Sequence, residues 1–403
     1  MNEIIVQKFG GTSVGSVERI DAVAEIIKKA SQSNRIVVVV SAMEGETNKL
    51  VNLAKNFSDN PNKREFDALV ATGETVSSAL LAMALHSKGL NAKSYSASQI
   101  SMRTTDSFSK AKILDVDAKK ILEVLEEDTI PIITGFQGIT ETGDVTTLGR
   151  GGSDTTAVAI AAQVKAERCD IYTDVDGIYT TDPKIVPNAK KLDSITMEEM
   201  LELAGQGAKV MQTRAVEFAN KYEVPVRVLS SFNEGTGTLI SLKEDTMENA
   251  LVSGIASQKN QVKFTLHGVG DIPGTAYKIL GPISDAEVEV DVIVQNVSVD
   301  GKTDFTFTVS SEDQGTVNKV IQEINDVEYR ELLVNSDIAK VSLVGVGMRS
   351  QAGVASRAFK ALSEKDVNIQ IICTSEIKIT MVIDESLVDK AVKVLHEEFE
   401  LDK

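Results

Sequence analysis

Cysteine, histidine and positive charge are scarce in this chain of 403 residues, and each scarcity excludes something. The two cysteines, Cys169 and Cys373, lie in separate apolar, strand-like runs and are expected as buried free thiols, as in a reducing cytosol. His86, His267 and His396 are too scattered for a metal cluster or a catalytic triad, so structural or surface roles fall to them, and no resident metal ligands are expected. Forty-two Lys and Arg against 59 Asp and Glu leave a net charge of −17, which argues against nucleic acid or an anionic membrane as a partner. No uncharged apolar run reaches the roughly 18 residues that span a bilayer. Met1 to Val6 has neither a basic leader nor a long apolar core. The expectation is a soluble, cytoplasmic protein.

Glycine clusters are what the chain does have. Lys8-Phe9-Gly10-Gly11-Thr12-Ser13 and Thr147-Leu148-Gly149-Arg150-Gly151-Gly152-Ser153-Asp154 each follow a short apolar run and open onto a helical pattern. Such clusters let a backbone bend sharply against a ligand, and they leave N–H groups at a helix start, where the dipole favours an anion. Two anion sites, each with a cation (Lys8, Arg150), suit a reaction between two negatively charged molecules, which points to phosphoryl transfer. The first cluster is no Walker A loop, because Ser16 and Val17 stand where Lys and Ser/Thr are required. The second lacks the last glycine of a dinucleotide fingerprint, since Asp154 holds that place. An anionic substrate must bind against the overall field, and Lys8, Arg150, Lys184 and Lys209 are candidates for the local correction.

Strand-like runs at Ile4 to Phe9, Ile36 to Val40, Ala92 to Ala97, Ile130 to Thr134, Cys169 to Thr173 and Val226 to Ser230 alternate with helical stripes, including a long one over Lys63 to Ser87. The fold class is therefore α/β, a mostly parallel sheet flanked by helices. Ligands of such sheets sit at the carboxyl ends of the strands, where both glycine clusters, Ser41-Ala42-Met43, Gly135-Phe136-Gln137-Gly138 and Thr173-Asp174 all fall. Beyond a turn-rich boundary near 233–250 lies an internal repeat at constant offset: Val262 matches Val341, Phe264 matches Leu343, Gly274 matches Gly353, and Val288 matches Val367. Each copy reads as a ferredoxin-like βαββαβ unit. The domains are expected at 1–240, 261–336 and 337–403, with a linker at 241–260.

On these residues the chain resembles the monofunctional aspartate kinases, whose amino-acid-kinase fold precedes two ACT domains. Further residues carrying the likeness are Ala71-Thr72-Gly73-Glu74, Tyr172 to Gly177, Thr181-Asp182-Pro183-Lys184, Gln295-Asn296-Val297-Ser298 and Thr374-Ser375-Glu376-Ile377. The resemblance implies ATP-dependent phosphorylation of the L-aspartate side-chain carboxylate with Mg²⁺, the first step toward lysine, threonine and methionine. It implies catalytic roles for Lys8, Arg150 and Asp154, and nucleotide contacts by Lys8, Gly10, Gly11, Thr12, Ser13, Thr173, Asp174, Tyr179, Asp182, Pro183, Lys184 and Lys209. Aspartate falls to Ser41, Thr47, Glu74, Arg150, Gly151, Gly152 and Ser153. Lysine, threonine or both, as feedback effectors, fall to Asp271, Asp291, Gln295, Asn296, Asn368, Thr374, Ser375 and Glu376, with the ACT domains building a homodimer or larger assembly. Asp291 and Glu376 are expected to take an effector ammonium, and Lys8 to stand partly exposed. Gln351-Ala352 and Glu289 depart from the family's usual residues beside the effector pockets. Two other readings stay open, a kinase for glutamate, N-acetylglutamate or carbamate, and a catalytically silent amino-acid sensor.

Overall fold

The computed structural model describes residues 3–208, 210–242, 251–296 and 301–403. The chain divides into two compact units, and the second takes Thr180–Lys190 and Gln206–Ala208 together with Glu248–Lys403. Lys209, Val297 and Ser298 lie outside the described residues.

The first unit runs β1 (Ile4–Phe9), α1 (Val17–Ser31), β2 (Arg35–Val40), α2 (Glu46–Lys55), α3 (Lys63–Val70), α4 (Thr72–Ser87), β3 (Ala92–Tyr95), β4 (Arg103–Thr104) and β5 (Ile113–Asp115). It continues with α5 (Ala118–Glu126), β6 (Ile130–Thr134), β7 (Gln137–Ile139), β8 (Val145–Thr147), α6 (Gly152–Gln163) and β9 (Arg168–Thr173). Last come β10 (Ser194–Thr196), α7 (Met197–Gly205), α8 (Thr213–Lys221), β11 (Val226–Ser230) and β12 (Thr238–Ser241). Eight strands form one sheet in the order β10-β12-β11-β9-β1-β2-β6-β3. The central run from β11 to β3 is parallel throughout, so the carboxyl ends of β9, β1, β2 and β6 lie side by side. β1 and β2 are buried on both faces because helices cover both: Ile5, Phe9, Val38 and Val40 pack with Ile20, Val23 and Ile27 of α1 and with Leu81 and Leu85 of α4, and α6 also packs against both strands.

The long helical stretch over Lys63–Ser87 divides at Ala71. There the Gln137 side-chain amide donates to the Ala71 carbonyl at 2.5 Å. By length and hydropathy this stretch could cross a bilayer, but α4 buries Glu74, Ser77 and Ser78 beside Leu81 and Leu85 inside the unit. A second, four-stranded sheet, β5-β4-β7-β8, was not foreseen, since strands of two or three residues carry no readable periodicity.

The second unit is built on β13 (Gly254–Gly270), α9 (Thr275–Asp285), β14 (Ile293–Gln295), β15 (Lys302–Ser310), α10 (Gln314–Glu323), β16 (Glu331–Val344), α11 (Val354–Ser363), β17 (Ile369–Thr374), β18 (Lys378–Asp384) and α12 (Val388–Glu398). Its six strands are ordered β14-β15-β13-β16-β18-β17. The repeat is present: Gly274 and Gly353 open α9 and α11 with φ of 96° and 95°, a left-handed conformation that favours glycine at both equivalent positions.

The tandem arrangement expected for the repeats is corrected. Gly254–Gln258, expected within a linker at 241–260, pairs with Val344–Lys340 of β16, while Gln261–Leu266 of the same long strand pairs with β15. The second repeat thus takes one strand from ahead of the first, which sits inserted within it. The cysteine expectation also divides. Cys169 is buried in β9, but Cys373 is exposed because β17 is an outer strand.

Candidate active site

Lys8 stands one residue from the end of β1, between two parallel neighbours, and it is buried rather than partly exposed. Its Nζ lies 2.6 Å from Oδ1 of Asp154 in the first turn of α6. This ion pair joins the two glycine clusters, which are far apart in sequence.

Gly11 packs closely against the next loop, since a Cβ there would lie 3.0 Å from the Ala42 carbonyl oxygen. The Gly10 N–H, expected to face a phosphate, donates instead to the Tyr172 carbonyl at 3.1 Å. The N–H groups of Gly11 and Thr12 have no acceptor among the described residues. Ser13 is also turned away from that task. It is fully buried, and its hydroxyl meets Ser231 Oγ at 2.8 Å and the Tyr172 carbonyl at 3.5 Å, which ties the loop down.

After β2, Ser41 is half-buried and its carbonyl accepts the Ser77 hydroxyl at 2.7 Å; Thr47 is half-buried in the first turn of α2. Glu74 is 3 % exposed, far from the solvated helical glutamate that is usual. A Cβ on Gly73 would lie 2.7 Å from the Ala42 Cβ, so the glycine lets α4 press against this loop. The Ala42 N–H then donates to Glu74 Oε1 at 3.1 Å, while Oε2 is buried without a partner among the described residues. Burial pushes the Glu74 carboxyl up to about 7, against the pull of backbone hydrogen bonds that favour its charged form.

The second cluster turns on Gly149 (φ 79°) and Gly151 (φ 67°), and a Cβ at Gly151 would meet the Gln212 side chain at 1.8 Å. Gly151 caps α6, and the Ser153 N–H at its start has no acceptor among the described residues. Gly152, Ser153 and Asp154 are buried, whereas Arg150 is exposed with no partner among the described residues. Facing them, Phe136 holds a left-handed φ of 68°, fixed by its N–H to Thr156 Oγ1 and by its carbonyl, which accepts the Leu148 N–H. Strain of this kind gathers where a site needs a fixed shape.

At the end of β9, Thr173 is half-buried and its hydroxyl donates to Asp174, which is exposed. Tyr179 is half-buried, with its hydroxyl donating to Asp176 at 2.8 Å. Asp182, Pro183 and Lys184 are exposed and lie in Thr180–Lys190, a segment of the second unit. Among the described residues no group of three His, Cys, Asp or Glu side chains could hold a metal ion.

In the second unit the eight effector candidates are all exposed. Asp271 accepts the Gln295 amide at 3.4 Å, and the Asn296 carbonyl accepts the Thr303 hydroxyl. The two carboxylates expected to await an ammonium already have cations of their own chain. Asp291 pairs with Lys340, and Glu376 with Arg349 at 3.3 Å. The Ser375 N–H donates to the Lys378 carbonyl; Asn368 immediately precedes β17 and Thr374 ends it.

Sequence reasoning passed over Asp67, Arg214 and Ser231. Asp67 is fully buried, one helical turn ahead of the buried Val70, and an acid on the apolar stripe of a helix was the available signal. Ser231 follows β11 and receives the guanidinium of Arg19, and nothing in its local sequence marks it.

Residues 3–230 match the amino acid kinase family, and residues 341–399 match an ACT domain. The aspartate kinase of Stutzerimonas stutzeri is 56 % identical over 402 residues, covering 99 % of this chain and 98 % of its own length. Escherichia coli aspartokinase III, solved in complex with aspartate and ADP (R-state), superposes with a TM-score of 0.84 at 28 % identity, over 98 % of this chain and 99 % of its own. The same enzyme in complex with lysine and aspartate (T-state) superposes with a TM-score of 0.77 at 29 % identity, with the same coverage.

Proposed function

The chain belongs to the aspartate kinase family, and on that premise we propose that its first unit transfers the γ-phosphoryl group of ATP to the side-chain carboxylate of L-aspartate. The observation that carries this reading is the Lys8–Asp154 pair, which brings two anion-binding loops to one place. A carboxylate is already a nucleophile at neutral pH, so positioning and charge neutralisation suffice. Lys8, held by Asp154, places its ammonium against the transferring phosphoryl oxygens, and the Gly11 and Thr12 N–H groups cradle the nucleotide phosphates. Arg150 offers a planar fork to the aspartate α-carboxylate, and the Ser153 N–H at the start of α6 adds a second donor. The unpaired Glu74 Oε2 takes the substrate ammonium, with Ser41 and Thr47 alongside. Mg²⁺ arriving with the nucleotide would supply further neutralisation of phosphoryl charge. Thr173, Asp174 and Tyr179 fit the nucleotide at the end of β9.

The second unit, in this reading, senses lysine, threonine or both in a homodimer or larger assembly. Support comes from the ACT match and from β14 and β17, outer strands that expose Ile293 and Ile372. An effector ammonium must then displace Lys340 from Asp291 or Arg349 from Glu376, and it inhibits only by binding an inactive arrangement more tightly.

Trapping the acyl phosphate with hydroxylamine tests the reading. Hydroxamate should form with aspartate and ATP, not with glutamate, N-acetylglutamate or carbamate, and should fall when lysine or threonine is added. No hydroxamate with aspartate would overturn it.

A further inference from the structure

Asp67 of α3 is 0 % exposed and faces no cation among the described residues. Its two oxygens are fully engaged by two short segments. Oδ2 accepts the N–H groups of Ser109 and Thr147, each at 2.8 Å, and Oδ1 accepts their hydroxyls at 2.9 and 3.0 Å. Ser109 itself holds a left-handed φ of 69°, which this grip helps to maintain. The same two segments are held a second time through their carbonyls. Arg214 of α8 donates one guanidinium N–H to the Leu148 carbonyl and another to that of Ala111, both at 2.8 Å. A backbone bond from the Ala111 N–H to the Thr147 carbonyl closes the figure.

An acid thus collects the donors, and a base the acceptors, of the stretch immediately ahead of Gly149. Beyond it the chain has little slack. A Cβ at Gly149 would come within 3.1 Å of the Ser109 carbonyl oxygen, and Gly151 lies against Gln212, two residues before Arg214. Arg150 therefore projects from a loop whose stem is fixed, although its own side chain is unpaired.

We propose that Asp67 and Arg214 are positioning residues for aspartate binding: they fix Thr147 and Leu148 so that the Arg150 fork is presented to the substrate in one orientation. This rests on the reading that Arg150 binds aspartate. A bidentate fork works only when aimed, so loosening its stem should weaken aspartate and leave the nucleotide alone. The amide of Asp67→Asn can accept on one side only, and two of the four donors then face an NH₂ group.

The test is a double-mutant cycle with steady-state kinetics for both substrates. Arg150→Ala alone must raise the KM for aspartate; if it does not, the reading of Arg150 has failed, whatever Asp67 does. Given that rise, Asp67→Asn should raise the KM for aspartate about tenfold or more and leave the KM for ATP within about twofold. It should add nothing further in the Arg150→Ala background. Equal shifts in both KM values, or an undiminished effect in that background, would overturn the proposal in favour of a purely structural role. Should Asp67→Asn fail to fold, Ser109→Ala and Arg214→Lys, which each leave part of the grip in place, are expected to give the same split at smaller size, and its absence in both would overturn the proposal.

Discussion

In the first unit Glu74 is buried and keeps one oxygen without a partner among the described residues, whereas in the second unit Asp291 and Glu376 are exposed and carry cations of their own chain. A buried carboxylate with a free oxygen is costly until a ligand supplies the missing charge, so it marks a site that one chain completes apart from its substrates. Exposed, self-neutralised carboxylates on and beside an open edge strand mark a surface that gains its low dielectric only when something covers it. Under the proposed function, the contrast corresponds to preformed substrate recognition in one unit and assembly-dependent recognition in the other.

Lys8→Ala should disturb the first unit most. Turnover should fall by about 10²- to 10³-fold or more, because transition-state charge loses its counterion. Since Lys8 is buried against Asp154, the variant should also lose about 3–5 kcal/mol of stability. Adding Asp154→Asn should recover melting temperature without recovering turnover; recovery of both would break the assignment.

Glu74→Gln comes next. Burial raises its carboxyl from 4.5 to about 7, so between these values the folded chain keeps a proton that the unfolded chain has released. The destabilisation grows as pH rises through this window and is complete above it. The glutamine variant should therefore be more stable than the parent at pH 8, by about 3 kcal/mol, and equal to it near pH 4. Thermal melts across pH check this, and the parent's KM for aspartate should fall as pH climbs past 7 while the variant's stays flat. Arg150→Lys should raise the KM for aspartate about tenfold, as a point charge replaces a fork. An effect on the KM for ATP alone would place Arg150 on the other substrate.

The second unit should respond differently. Ser375→Phe should leave turnover unchanged and abolish inhibition, read by adding lysine and threonine to the hydroxamate assay. Arg349→Ala, which frees an exposed Glu376, should shift stability by less than about 1 kcal/mol in a denaturant melt.

The glycine clusters were legible because glycine at a strand end has few other reasons to be there, and the parallel sheet then sets their loops at one edge. The Lys8–Asp154 pair was only half legible, since sequence places both residues at that edge without fixing which partner Asp154 takes. Glu74 was invisible as a buried acid, because its burial depends on Gly73 meeting Ala42 across the fold. The grips of Asp67 and Arg214 involve partners about forty to a hundred residues away; the apolar stripe of α3 marks Asp67 as an odd acid, but no local pattern names the partners. In the second unit the repeat was readable from matched residues, but the insertion of one copy in the other was not. The polar turn before β13 reads as a linker, although the strand that follows belongs to the later repeat.

Turnover per chain and inhibition by lysine and threonine, followed together by hydroxamate formation as the protein is diluted through dissociation of its assembly, test the contrast most directly. The account predicts constant turnover per chain and inhibition that vanishes with the assembly. Inhibition that persists in separated chains, or turnover that collapses with them, would contradict it.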